Sequence, residues 1–204
     1  MQPRSIPLGS GEALPFADGS FDVVSEFSML HHVANPGAII KEMLRVARRA
    51  VVIADCNRFG QGSFPARLFK LFLYKMHLWN TFNFLRTRGK HYQVSEGDGL
   101  FYSYSVYDSY DLLMSWADRI LALPTSPTHE RGWLHPLLTS SGVMLVANTR
   151  TAGSQKINQL LTLLWTALRV ACSVNSSVSL GILVMNGSMS HASPVGISRV
   201  SVTT

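Results

Sequence analysis

The sequence predicts an α/β fold organised around a parallel sheet, and three stretches carry that prediction. Phe21 to Ser25 (FDVVS) and Ala50 to Ala54 (AVVIA) are short, nearly all-apolar runs rich in β-branched residues, the composition of strands buried on both faces. Between them, AIIKEMLRVARR spaces Ile39, Ile40, Met43, Leu44 and Ala47 at helical intervals, with Lys41, Glu42, Arg45 and Arg48 largely off that face. Strand, helix and strand in so short a space make a βαβ unit with a right-handed crossover.

The remaining elements follow in order. Ile6 to Leu8 ends a strand, broken by Gly9, Ser10 and Gly11, and Asp18-Gly19 is the turn before FDVVS. Pro36 and Gly37 mark the start of the helix. Residues 57–92 then break the rhythm. Ser63 and Pro65 suit a helix start, after which Leu68, Phe69, Phe72, Met76 and Trp79 form one apolar face while Arg67, Lys70, Tyr74 and His77 lie on another. Asp108 to Ala117 reads as a helix, RILAL (119–123) as a strand and Gly142 to Ala147 as the last strand, so the sheet is mixed and closes on an antiparallel pair.

From Asn148 the character changes: the chain becomes rich in Ser, Thr, Val and Gly, without acidic residues. INQLLTLLWTALRVACSV (157–174) is apolar enough for a helix, but Arg169 and its modest length argue against a membrane span. The division expected is a domain over 1–148, with a basic amphipathic insert at 58–92, and a tail over 149–204.

The net charge of +6 does not indicate a nucleic-acid partner. Residues 1–130 hold thirteen Lys and Arg against twelve Asp and Glu, and the excess comes from five scattered basic residues over 131–204, which cannot follow a phosphate backbone. Two cysteines, Cys56 and Cys172, are too few for a disulfide framework and fit a reducing compartment. The first residues have no apolar core of signal-peptide length, so a cytoplasmic location is expected.

GEALPFADGSFDVV followed by LHHVANPGAIIKEMLRVARRAVVIAD resembles the second half of a class I S-adenosylmethionine-dependent methyltransferase. The nearest group is type 11, which includes the ubiquinone and menaquinone C-methyltransferase-like enzymes. The similarity covers roughly residues 5–147 and is strongest over 11–55. It implies a partial doubly wound, Rossmann-like sheet, strands 3–7 of the fold, with a helical insert after strand five. The family's strand order is 3-2-1-4-5-7-6, with the cofactor across the carboxyl ends of the first strands at a topological switch point. On that mapping Ile6–Leu8, Phe21–Ser25 and Ala50–Ala54 are strands three, four and five. Strands one and two, with the glycine-rich loop and the ribose-binding acid, would precede Met1. The edge of strand four would then need a cover, from the tail or a partner chain.

The resemblance implies S-adenosylmethionine as cofactor, a small and lipophilic acceptor, and cofactor contacts at Ser10, Gly11, Glu12, Ala13, Glu26, Ser28 and His31, with His32, Asn57 and Trp79 facing the acceptor. The family usually has an Asp where Ser10 stands, and a hydroxyl is the weaker acceptor there. A non-catalytic remnant or partner-binding fragment is the alternative. Paired histidines at 31 and 32 suit either a base near neutrality or a loop-positioning role beside the pocket. A zinc site is not expected, since adjacent histidines rarely face one ion and no third ligand is evident. Glu26 reads as a contact to substrate or cofactor, or as a solvated loop carboxylate. Asp22 reads as orienting its strand, and Asp55 as part of the site rim. Gly60-Gln61-Gly62 reads as an ordinary turn. The 58–92 insert has three readings: a lid over the acceptor, a membrane-surface contact through 64–90, or a helix packing its apolar face on the domain.

Overall fold

The computed structural model describes residues 9–96, 99–125, 136–149, 181–185 and 194–199. The expected strand at Ile6–Leu8 and the apolar run 157–174 lie outside these residues. The first strand, β1 (Phe21–Phe27), is parallel to β2 (Ala47–Cys56), with Val23 opposite Ala50 and Phe27 opposite Ala54. Helix α1 (Pro36–Val46) joins them. Asn35 caps this helix, its side chain accepting a hydrogen bond from the Ala38 N–H, and Pro36 fills the first position, where no donor is needed. Ile39, Ile40, Met43, Leu44 and Val46 are buried against the sheet, each contributing about 1.5–3 kcal/mol by leaving water.

The helix ends earlier than its charge pattern suggested. Ala47, Arg48 and Arg49 already belong to β2, because both arginines reach Asp22 on the neighbouring strand at 3.5 and 3.3 Å. That pairing gives Asp22 its structural role.

After the insert, α4 (Tyr110–Trp116) packs on α1, and β5 (Arg119–Pro124) and β6 (Gly142–Asn148) run antiparallel, with the four-residue α5 (Pro136–Thr139) before β6. Strand β6 is antiparallel to β2. The main sheet is ordered β5-β6-β2-β1-β7-β8. Its last two members are β7 (Gly181–Met185) and β8 (Pro194–Arg199), an antiparallel pair. Strand β7 pairs antiparallel with β1, Leu183 opposite Ser25, so part of the tail covers the edge expected to need a cover. One core cluster lies between α1, α4 and the sheet, and a smaller one lies on the opposite face around Val23, Val52 and Met144.

The insert forms α2 (Phe64–Lys75), α3 (Trp79–Arg86) and a two-stranded sheet of β3 (Tyr92–Ser95) and β4 (Gly99–Tyr102). The expectation that α2 packs its apolar face on the domain is overturned. Leu68, Phe69, Phe72 and Met76 are exposed, and of that set Trp79 alone is buried. Arg67 and Lys70 turn inward instead, beside the buried Leu73. Arg67 donates to the carbonyls of Gly62 and Leu138, and Lys70 donates to those of Arg58 and Gln61. These carbonyls need donors, which an apolar face could not supply.

The turn reading of Gly60-Gln61-Gly62 has a close-packing cause at its first glycine. A Cβ at Gly60 would lie 1.8 Å from the Ser140 carbonyl oxygen, so only glycine admits that neighbour.

Candidate functional site

Two adjacent parallel strands end together, and their carboxyl ends gather the titratable groups. Glu26, near the end of β1, is fully buried and is not the solvated loop carboxylate of one reading. Its Oε1 accepts from the N–H groups of Met29 (2.6 Å) and Leu30 (3.3 Å), while Oε2 is buried without a hydrogen-bond partner. Burial first, then the Asp55 charge, push its carboxyl well above the ordinary value. Glu26 therefore holds a proton that an exposed glutamate would have lost.

Asp55, near the end of β2, accepts three hydrogen bonds. Its Oδ1 takes the Cys56 N–H and lies 2.5 Å from His31 Nδ1, and its Oδ2 takes the His31 N–H at 3.3 Å. The loop after β1 brings His31 there through Ser28, whose φ of 51° reverses the chain direction, and through a single 3-10 turn at Leu30–His32. With Nδ1 donating to the carboxylate, Nε2 carries the lone pair and the imidazole is held in one orientation. His32 stacks beside it, ring centroids 4.0 Å apart, and its Nδ1 meets the Leu100 carbonyl at 2.8 Å.

Cys56 and Tyr104 close the cluster from below. The Cys56 thiol donates to the Tyr104 carbonyl at 3.4 Å, and burial followed by the Asp55 carboxylate pushes its pKa up, so it stays a thiol. Burial likewise raises the Tyr104 phenol, which is 2.5 Å from Ser109 Oγ. His31, Asp55 and Cys56 bring donor atoms within 4.8 Å of one another, so the third potential metal ligand that the sequence did not reveal exists in the fold. The direct His31–Asp55 contact and the neutral thiol make the group a hydrogen-bonded set as it stands.

The loop carrying Ser10 to Ala13 reaches the same end of the sheet. Gly11 is buried against Ile39, in the first half of α1, where a Cβ would be 3.3 Å from Ile39 Cδ1. Arg45 fastens the loop by donating to the carbonyls of Leu14 and Phe16 and pairing with Asp18 (2.6 Å) and Glu42 (2.8 Å), while Glu42 accepts the Leu14 N–H. Ser10 is exposed and accepts from the Glu12 N–H at 3.2 Å, and Glu12 and Ala13 are exposed beside it.

Two expected acceptor contacts are engaged elsewhere. Asn57 is fully buried, its Nδ2 donating to the Ser140 carbonyl and its Oδ1 accepting from the Phe59 N–H. Trp79 is buried under the Arg58 guanidinium at 5.1 Å, with Nε1 donating to Ser103 Oγ. Both side chains hold the insert to the domain. Conversely, Asp55 as the partner of His31 was only partly visible from sequence: an acid ending a strand is common, and nothing in the sequence names its partner 24 residues away.

Residues 3–54 match the family of the methyltransferase domain. The matched stretch is about a quarter of the chain. It is 50% identical over 44 residues to an uncharacterised methyltransferase of Mycolicibacterium gilvum, covering 22% of this chain and 17% of that protein. It is 44% identical over 52 residues to a demethylmenaquinone methyltransferase of Parafrankia sp., covering 26% of this chain and 20% of that protein. The matched stretch thus spans about a fifth of the length of these curated relatives. Among solved structures, SAM-dependent methyltransferases of Thermotoga maritima and Methanosarcina mazei align over 70% of this chain and over 62% and 66% of theirs, both at 16% identity, with TM-scores of 0.40 and 0.42.

S-adenosylmethionine is the cofactor this family implies. Of the residues the resemblance assigns to it, Ser10, Glu12 and Ala13 are exposed, and Glu26 is enclosed with Oε2 unpartnered. Beside β1, antiparallel β7 holds the place where the family has a parallel strand and its glycine-rich loop. Among the described residues, donors for the ribose and methionyl groups are not assembled.

Proposed function

We propose that this chain is a methyl-transfer module acting on a small, lipophilic acceptor at the carboxyl ends of β1 and β2. The observation that carries the reading is the His31–Asp55 pair, 2.5 Å apart, within the loop that follows the methyltransferase-type strand β1. S-adenosylmethionine supplies an electrophilic methyl group when bound. The chain's residues would hold its adenine side with the Ser10–Ala13 backbone, Glu26 and Ser28, and orient the acceptor beside His31 and His32.

His31 Nε2 takes the proton that a hydroxyl or carbon acid must lose as the methyl arrives, and Asp55 stabilises the imidazolium. Methyl transfer asks for alignment of nucleophile, methyl and leaving sulfur more than for a catalytic signature.

A second reading is favoured by β7. A chain whose β1 edge is occupied by an antiparallel strand suits a non-catalytic remnant or partner-binding fragment that does not take the cofactor. Calorimetric titration of the folded chain with S-adenosylhomocysteine separates the two. Saturable one-to-one binding, weakened when Glu26 is replaced by Leu, supports the methyl-transfer reading. No heat from a folded sample overturns it in favour of the non-catalytic one.

A further inference from the structure

Helix α2 is built inside out for a globular protein. Its polar stripe, with Arg67 and Lys70, is tied to backbone carbonyls of the domain, and its apolar stripe faces solvent. Phe64, Leu68 and Phe72 follow one another at four-residue spacing, Phe69 and Met76 lie alongside, and Leu85 of α3 is 70% exposed. Phe72 is 59% and Phe69 50% exposed. The helices are held together by edge-on packing of Phe69 of α2 on Phe82 of α3, centroids 5.6 Å apart. A contiguous exposed apolar surface of this kind marks an interaction site.

The charge around it selects the occupant. Between Asp55 and Glu96 the chain has seven Lys or Arg and no acidic residue. Arg58, Arg67 and Lys70 are bound within the domain, which leaves Lys75 at the end of α2 and Arg86, Arg88 and Lys90 at and beyond the end of α3 exposed around the apolar stripe. A second copy of this chain would set these cations against their own equivalents. An apolar stripe with Phe and Leu, bordered by Lys and Arg and free of carboxylates, matches the headgroup and acyl boundary of an anionic membrane.

We infer that the α2–α3 face docks on an anionic lipid surface. Phe69, Phe72, Leu68 and Leu85 enter the acyl boundary, and Lys75, Arg86, Arg88 and Lys90 meet phosphate headgroups. No helix among the described residues is long and apolar enough to cross a membrane, so the contact is peripheral. The inference stands on the insert alone and not on methyl transfer.

The test is cosedimentation of the full chain with vesicles of phosphatidylcholine, with and without an equal part of phosphatidylglycerol. Binding to the mixed vesicles, falling as salt rises, is expected. Phe72→Glu should weaken it by at least about tenfold, through loss of apolar burial and addition of a like charge to the lipid. Lys75→Gln with Lys90→Gln should weaken binding to the mixed vesicles by roughly thirtyfold, about one kcal/mol per charge. Neither variant should lower the thermal midpoint of the chain in solution, because these side chains are exposed.

Three results overturn the inference. One is no binding by a folded sample, and another is equal binding to both vesicles. The third is a concentration-dependent dimer or a lowered thermal midpoint for Phe72→Glu, either of which would place protein over this face.

Discussion

Glu26 is the residue whose chemistry departs furthest from what its neighbours in sequence suggest. Its carboxyl is raised by burial and by Asp55, so over the range between the ordinary value of 4.5 and its folded value the native state binds a proton that the unfolded state has lost. Stability therefore falls as pH rises through that range and levels off above the folded value. Glu26→Gln removes this dependence, and its urea midpoint should gain on that of the unmodified chain as pH rises above the ordinary carboxyl value of 4.5. An unchanged difference would mean that Glu26 ionises normally. Asp55→Asn should cost about 1–3 kcal/mol, since the amide cannot replace an anion accepting from His31 and Cys56. It should also weaken the pH dependence of Glu26 without abolishing it, because burial is the larger cause.

The elements show where local signals sufficed. Helix α1 was legible because capping, proline position and apolar spacing agree, whereas its end was not. Arg48 and Arg49 look helical in sequence, yet a carboxylate on the next strand draws them into β2. Helix α2 was legible as a helix but its orientation stayed open among three readings, since nothing local tells which face meets unpaired carbonyls. The junction after β2 is set by close approach of two backbones. Gly60→Ala would press a methyl against the Ser140 carbonyl and should cost about 3 kcal/mol, read from chemical unfolding. A loss below that of an exposed Gly→Ala change would contradict the packing described.

At the scale of the molecule, β7 completes the pairing of β1. A parallel strand such as β1 needs partners on both sides, and the tail strand supplies one of them. Leu183→Pro removes a backbone donor from β7 and should unpair it from β1. Amide exchange across 23–27 should then accelerate more than exchange across 50–54, which keeps both β1 and β6 as neighbours. Equal acceleration would mean that β7 contributes nothing particular to β1.

The sequence by itself determined the βαβ unit, the antiparallel strands after it and the kinship of residues 3–54, because periodicity, turns and short motifs are local properties. It also placed His31 and Asp55 at strand ends. Only the tertiary structure decided that these two meet, that Glu26 is buried with its carboxyl pushed well above the ordinary value, that Asn57 and Trp79 hold the insert to the domain, and that the apolar face of α2 looks outward. Each of those outcomes depends on which distant carbonyl, carboxylate or backbone lies opposite, and that is fixed by how the strands align in space.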